Sequence, residues 1–468
     1  MAGSYAYGKM KEISGGRCYR HGHTDINWMS DIKVHILRNL IFGKMKNRII
    51  SLTVALVLAM SAFAVSFETD RTWYLAGEAM KISVRADNAL IAYAELSDAN
   101  GLAAGVVVGL KGGEGEAVIE LPSHLHSGYY VLSVYTRDDS QATQRLVAVV
   151  NALHKSKNDD IQWVPSDSCW AATAGTADWG DAQAEFRATK PADVREAEGH
   201  IIKARVRNHK NGYAFKASEI CPSLSIVGKQ IHYFEGKMVD DSTAVFFTYG
   251  IHGKQPLVLS ALSSTDESMP IEMMSPFVSL LPTDLPHLVF HYKRSEVEAR
   301  SIAMQRHQRQ LAPAKSPSQS GAYADETTEE VVPLDYDDTV LGTQPYLTYN
   351  LDEYRQFLTV REVLIEYVKC VTNKKTNGVP HLFVYSKQFS DDSSWPTLVL
   401  IDGMPVYDIE RLLSYDARRI HYINIYGGQY TFGNGVYNGI LSFVTRSGRL
   451  TNYPTEPNAQ YLVYEFPE

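Results

Sequence analysis

Between Phe67 and Ala152 the sequence is a succession of short β-forming runs broken by turn residues, and few folds accept a chain patterned that way. Trp73-Tyr74-Leu75 leads into Ala76-Gly77-Glu78, after which Met80, Ile82 and Val84 alternate with polar neighbours, the period of a strand with one buried face. Ala117-Val118-Ile119-Glu120-Leu121 stops at Pro122, and the run from Tyr129 to Tyr135 is rich in β-formers. Strands so closely spaced, punctuated by Gly and Pro, predict a β-sandwich over residues 65–152. Tyr, at 28 residues, outnumbers Phe, at 16, which suits half-exposed strands whose rings keep one wet end.

A polar stretch at 153–194 reads as a linker. Residues 195–300 carry a second set of β-runs, among them Ile201-Ile202, Leu224-Ser225-Ile226-Val227, Val245-Phe246-Phe247 and Leu257-Val258-Leu259, and predict a second sandwich. From 301 to 348 the chain holds Pro313, Pro317, Pro333 and Pro345 among Ser and Gly, and its seven acidic residues from Asp325 to Asp338 meet no basic one. Asp335, Asp337 and Asp338 are oxygen ligands of the kind a hard cation takes, but a self-repelling linker is the preferred reading. Beyond it the period changes. Val360, Val363, Leu364, Tyr367, Val368 and Val371 recur at helical spacing, with Thr359 and Glu362 as a capping box ahead of them. Strands at 382–385 and 397–401, a turn at Asp402-Gly403, a short helix near 409–413 and strands at 420–426 and 439–445 complete a mixed α/β unit over 349–450. Residues 451–468 read as a tail. The change of period across the linker predicts that the α/β unit folds on its own.

Hydrophobic residues make up 45% and charged residues 21%, which excludes wholesale disorder. The net charge of −8 hides an asymmetry: the first 64 residues hold nine basic and three acidic residues, leaving 36 basic and 50 acidic, or −14, from Val65 onward. A nucleic-acid reader needs a basic face, so that partner is disfavoured. Met45-Lys46-Asn47-Arg48, the apolar run from Ile49 to Met60 and Ala62-Phe63-Ala64 stand in the order of a secretory signal with an A-x-A cleavage site. The expectation is a signal peptide over 45–64, cleavage between Ala64 and Val65, and a mis-assigned extension over 1–44. Cys18, His21 and His23 resemble soft metal ligands, but they fall in that extension and lack a fourth ligand. Cys169, Cys221 and Cys370 remain; a Cys169–Cys221 pair and three reduced thiols are both compatible with the spacing. No later apolar run reaches about 18 residues, so no transmembrane segment is expected in the mature chain.

Two resemblances follow. Thr69-Asp70-Arg71-Thr72-Trp73-Tyr74-Leu75-Ala76-Gly77-Glu78, with the later Leu121 to Arg137 stretch, resembles the opening of macroglobulin-type β-sandwich domains. The fragments LVLIDGMPV, DARRIHYINIYGG, FGNG and NGILSFVTRSG, in that order between residues 398 and 448, resemble the plug domain of TonB-dependent outer-membrane receptors. The resemblances imply two immunoglobulin- or macroglobulin-like all-β sandwiches followed by a small α/β plug-like domain, as in large exported envelope proteins of Gram-negative bacteria. The 18 residues from Thr451 onward leave no room for a barrel, whose strands need about 10 residues each. No energy-coupling box follows the signal.

No H-E-x-x-H, G-x-S-x-G, C-x-x-C or P-loop pattern occurs, nor the Cys-Gly-Glu-Gln thioester of macroglobulin traps. Gly433, Gly435 and Gly439 miss dinucleotide-binding spacing. Asp402 is the first carboxylate to consider for catalysis, yet in an Asp-Gly turn such a side chain more often bonds backbone amides. His200, His232 and His421 show no partner pattern. No catalytic, cofactor or metal residue is therefore assigned. The Tyr422, Tyr426, Tyr430 and Tyr437 series, interleaved with Gly, offers aromatic anchors of the hot-spot kind, so residues 420–440 are expected to form a protein-binding face. The expectation is a non-enzymatic binding or assembly protein, periplasmic or outer-membrane associated, whose partner is an envelope protein such as an outer-membrane receptor. The alternatives are an accessory subunit of a TonB-dependent uptake system and an envelope hydrolase without a recognisable motif.

Overall fold

The structure is a computed structural model that describes residues 65–174, 185–210, 213–227, 232–263, 267–311, 332–334, 344–376, 378–385, 397–432, 435–450 and 453–468. The expected signal peptide, the Cys18, His21 and His23 group, and Asp335, Asp337 and Asp338 lie outside the described residues.

The first module is a β-sandwich. A three-stranded sheet (Ser66–Thr69, Ala79–Arg85, Glu114–Glu120) faces a larger one ordered Phe186–Thr189, Gln141–Val150, Gly128–Tyr135, Ile91–Ser97 and Leu102–Gly109, with Trp73–Leu75 added parallel to Gln141–Val150. In Ala79–Arg85 the alternation holds: Met80, Ile82 and Val84 are buried against Ala92, Ala94, Leu132 and Val149, while Lys81, Ser83 and Arg85 are exposed. Ile91–Ser97 and Gly128–Tyr135 are buried at every position, because the larger sheet is covered on both faces. Its outer face receives a small sheet (Ile161–Pro165, His287–Tyr292, Trp170–Ala174) and the helix Arg294–Leu311, through Trp73, Leu75, Tyr129, Leu288, Phe290 and Met304.

This corrects the linker expected at 153–194, which supplies strands Ile161–Pro165, Trp170–Ala174 and Phe186–Thr189. Their own apolar content is thin; their pairing partners, Leu288 and Phe290 among them, lie far away in sequence. The linker expected from 301 likewise begins inside the helix Arg294–Leu311.

The helix explains the Thr69 to Glu78 stretch. Glu78 Oε2 accepts from Leu75 N at 2.8 Å, Arg71 Nη1 at 3.2 Å and Arg300 Nη2 at 2.7 Å. Arg300 also lies over the Trp73 ring at 3.5 Å. Gly77 sits at φ +92° beneath the Gln308 side chain, a left-handed backbone that calls for glycine.

The second module is a seven-stranded sheet ordered Ile271–Met273, His200–Val206, Thr243–Thr248, His232–Met238, Ile220–Ile226, Gly253–Ser263 and Gln460–Phe466. His232–Met238 pairs through residues 232–235 with Ile220–Ile226, then through residues 236–238 with Thr243–Thr248. The crossing falls at Gly236, where a Cβ would lie 2.5 Å from the Phe246 ring. The outermost strand is Gln460–Phe466, paired antiparallel with Gly253–Ser263 and adding Tyr464 and Phe466 to the core. Residues 451–468 are therefore not simply a tail. The strand follows Pro454 and Pro457, and its partner lies some two hundred residues upstream, so nothing local announces it.

The C-terminal unit carries a five-stranded sheet ordered Leu347–Asn350, Ile420–Phe432, Gly435–Thr445, Leu398–Ile401 and Met404–Pro405. The helices Val360–Glu366 and Ile409–Leu413 and the hairpin Val371–Thr376/Val379–Val384 accompany it. Thr359 and Glu362 form the reciprocal cap. The first helix ends before the periodic pattern does: Cys370 takes φ +65°, and Val371 opens the hairpin. Leu398–Ile401 is buried throughout and pairs parallel with residues 440–443.

The core of this unit contains Val227 and Val258 of the second module. Tyr407 reaches Ser260 at 3.2 Å, and Ser225 donates to Gly403 O at 3.1 Å. This shared core argues against independent folding of the unit.

Candidate functional site

The four tyrosines of the C-terminal sheet separate into two pairs. Tyr422 and Tyr426 are fully buried, Tyr422 with Val444 and Val332, Tyr426 with Leu398, Leu400 and Ile440. They are core residues and not the partner-binding anchors expected of them, because at this level the sheet is covered on both faces. Tyr430 and Tyr437 are half-buried and stand opposite one another across the hairpin. The register slips between Tyr426 and Gln429, where Gly427 and Gly428 form a bulge. Past it, residues 429–432 pair with 435–438 as a two-stranded ribbon. Leu347–Asn350 pairs only with residues 422–425, and Leu398–Ile401 only with residues 440–443, so among the described residues the ribbon extends beyond both flanking strands.

A second assembly lies at the junction of the two sandwich modules. Glu196 accepts from the Tyr93 hydroxyl at 2.7 Å, meets His200 Nδ1 at 3.0 Å and accepts from Ile201 N at 2.8 Å, all through Oε1. Arg137 Nε stands 3.5 Å away, and Arg137 Nη2 donates to Tyr93 Oη at 2.6 Å and to Ile201 O at 3.0 Å. His200 Nε2 meets the Tyr464 hydroxyl at 2.7 Å. Tyr93 and Arg137 belong to the first module, His200 and Tyr464 to the second, and Glu196 to the chain between them. Burial by itself raises the Glu196 carboxyl, but the His200 bond, Arg137 and the Ile201 N–H outweigh it and hold it below its usual value.

The sequence showed no partner pattern for His200, and none was available. Tyr464 lies 264 residues away and Tyr93 lies 107 away; only the four-residue step from Glu196 was local.

The Tyr464–His200–Glu196 chain has the connectivity of a nucleophile, a base and an orienting acid. Its electrostatics point elsewhere. Burial, followed by the Glu196 charge, drives the Tyr464 hydroxyl well above its ordinary range, so it stays protonated and is not activated. The open space beside it, about 230 Å³ lined by Arg137, Lys203, Met273, Ser275 and Tyr464 among others, is set on the module boundary. The assembly acts as a polar clamp between modules.

Other buried carboxylates are also engaged as acceptors. Asp402 takes Thr445 N at 2.7 Å, Thr445 Oγ1 at 2.6 Å and Leu450 N at 2.8 Å, so its bonds are long-range, not within its own turn. Glu95 takes Tyr135 Oη at 3.0 Å and the backbone of Ser279 and Leu280 at 3.0 and 2.5 Å, pinning that loop to the first sandwich. His421 lies 3.2 Å from Asp352, and His232 stacks with Phe234. Cys169, Cys221 and Cys370 are thiols, not disulfide partners. Among the described residues no three metal-binding side chains gather, and no helix is long and apolar enough to cross a membrane.

No family model matches the chain, and no curated protein matches it in sequence. Among solved structures, Escherichia coli alpha-2-macroglobulin activated by porcine elastase is similar at 12% identity over 47% of this chain and 20% of that one, with a TM-score of 0.18. Salmonella alpha-2-macroglobulin reacted with methylamine is similar at 11% identity over 49% and 14%, with a TM-score of 0.18. The DIP-gamma IG1+IG2 structure is similar at 10% identity over 49% and 99%, with a TM-score of 0.14. The chain thus spans a fifth or less of the two macroglobulins. The common feature is the β-sandwich.

Proposed function

We propose that this chain is an exported, non-enzymatic protein of the Gram-negative cell envelope with a binding or assembly role, its C-terminal unit a plug-like domain. Export and envelope location rest on the ordered signal segments before Val65, and the plug-like reading on the four ordered fragments between residues 398 and 448. The observation that carries the binding role is the ribbon of residues 429–432 and 435–438, which among the described residues extends past its flanking strands and carries Tyr430 and Tyr437, half-buried against Leu398, Leu400, Tyr426 and Ile440. The edges of a two-stranded ribbon are where an extended segment of another chain can add as a further strand, and aromatic rings anchor interfaces.

The test is recovery of envelope proteins on the immobilised full chain, compared with a Tyr430→Ser, Tyr437→Ser double variant. The reading expects a partner held by the wild type and lost by the variant, with the melting midpoint of the variant nearly unchanged. Identical recovery by both proteins would refute it. The plug-like fragments also support a second reading, an accessory subunit of a TonB-dependent uptake system; recovery of an outer-membrane receptor as that partner would favour it over the first.

A further inference from the structure

The strand Gln460–Phe466 and the two residues after it touch both sandwich modules and the C-terminal unit. The strand lies antiparallel along residues 253–259 of the second module and puts Tyr464 and Phe466 into that core. Toward the C-terminal unit, Tyr461 is partly buried against the core that holds Val399 and Ile401. Its hydroxyl donates to Met404 Sδ at 3.3 Å and accepts from Glu456 N at 2.9 Å. Toward the first module, the Tyr464 hydroxyl meets His200 Nε2 at 2.7 Å, and His200 is joined in turn to Glu196, which accepts from Tyr93. The Glu468 carbonyl packs so closely on the strand Leu102–Gly109 that a Cβ at Gly109 would lie 1.9 Å from its oxygen.

The hold on the strand itself is one-sided. Among the described residues its ladder partner is Gly253–Ser263, Val463 is 63% exposed, and the ion pair between Lys254 and Glu465 lies at the surface. The chain enters through Pro457 and through Asn458 at φ +63°, a backbone that few residue types adopt. Strands paired along one edge belong to the parts of a fold that open before the whole unfolds. We propose that residues 460–468 are a releasable strap. It opens as a unit about residues 457–459, and its opening loosens the first sandwich and the C-terminal unit together, although those two parts meet it at different residues.

The experiment is hydrogen exchange, followed by mass spectrometry, on the full chain carrying Lys254→Cys and Glu465→Cys, oxidised against reduced. The two positions stand directly opposite one another. Pro256, in the same phase and opposite Val463, turns its carbonyl to Val227 N at 3.3 Å, away from the strap. Residues 254 and 465 are therefore a pair without mutual hydrogen bonds, whose Cα atoms come close enough for a disulfide. Locking the strap should slow exchange at least about tenfold in both Leu102–Gly109 and residues 404–407. Slowing confined to Gly253–Ser263 and Gln460–Phe466 would overturn the proposal, since the strand would then be an ordinary edge. Slowing by the same factor in the helix Arg294–Leu311, packed on Trp73 and Leu75, would also overturn it, because the cross-link would then be stabilising the whole chain. A second variant, Tyr464→Phe, keeps the ring in the core and removes the hydroxyl from His200. It should speed exchange in Leu102–Gly109 and residues 404–407 alike; unchanged exchange in either refutes the coupled release.

Discussion

Replacing Glu196 with Gln tests the clamp between the sandwich modules. The carboxylate is 3% exposed and accepts from Tyr93, His200 and Ile201 while facing Arg137, itself 8% exposed. A Gln side chain keeps the Oε1 acceptor that Ile201 N–H uses but presents an NH₂ in place of Oε2, which now accepts from the Tyr93 hydroxyl at 2.8 Å. Arg137 keeps its bonds to Tyr93 and Ile201 O, and its remaining carboxylate neighbour is Asp193, at 3.6 Å. Breaking a buried ion pair by removing one partner costs about 3–5 kcal/mol; with Asp193 still present, about 3 kcal/mol is expected. At about 2–4 °C per kcal/mol for a unit of some 200 residues, the midpoint should fall by roughly 6–12 °C.

The pH dependence supplies the stricter test. The Glu196 carboxyl is held below its usual 4.5, so its contribution is present above that value and is lost as pH falls through the depressed folded-state pKa. The gap between wild type and Glu196→Gln should therefore hold from about pH 7 down to about pH 5 and narrow only below about pH 4.5. Thermal unfolding followed by near-ultraviolet circular dichroism measures it, since Tyr93 and Tyr464 both sit in the clamp. A gap near zero at neutral pH, or one that widens on acidification, would refute the reasoning.

Glu456 has the opposite sign. Burial, outweighing the Tyr453 and Asp408 bonds, raises its carboxyl above 4.5, so the folded state favours the neutral form. Its stabilising contribution is full below 4.5 and is lost as pH rises through the raised value; Glu456→Gln should match or exceed wild-type stability at neutral pH, as denaturant titration will show. Asp402→Ala strips acceptors from two buried N–H groups and the Thr445 hydroxyl. At about 1–3 kcal/mol for each orphaned group, the loss should be at least about 3 kcal/mol in urea unfolding. Tyr426→Ser should cost about 3–5 kcal/mol, as large-to-small core changes do, whereas Tyr430→Ser should shift the melting midpoint far less; equal shifts would mean that the ribbon is core.

What the sequence determined by itself is what neighbours along the chain decide. The alternation of Met80, Ile82 and Val84 places one face of a strand inside, the Thr359 and Glu362 pair starts a helix, and the doubly apolar Leu398–Ile401 sits mid-sheet. Each of these signals is complete within one strand or one helical turn. Burial from outside the element was not legible. Ile91–Ser97 is covered on its second face by the loop carrying Phe277 and Leu280, which arrives nearly two hundred residues later. Tyr426 and Tyr430 share a strand and a residue type, and they differ only in where the neighbouring strands stop. The Glu196 clamp gathers Tyr93, Arg137, His200 and Tyr464 from separate stretches of chain. Local propensity and period are written in adjacent residues, but which face is covered twice and which polar groups meet depends on chain closure over hundreds of residues, and that only the tertiary structure decided.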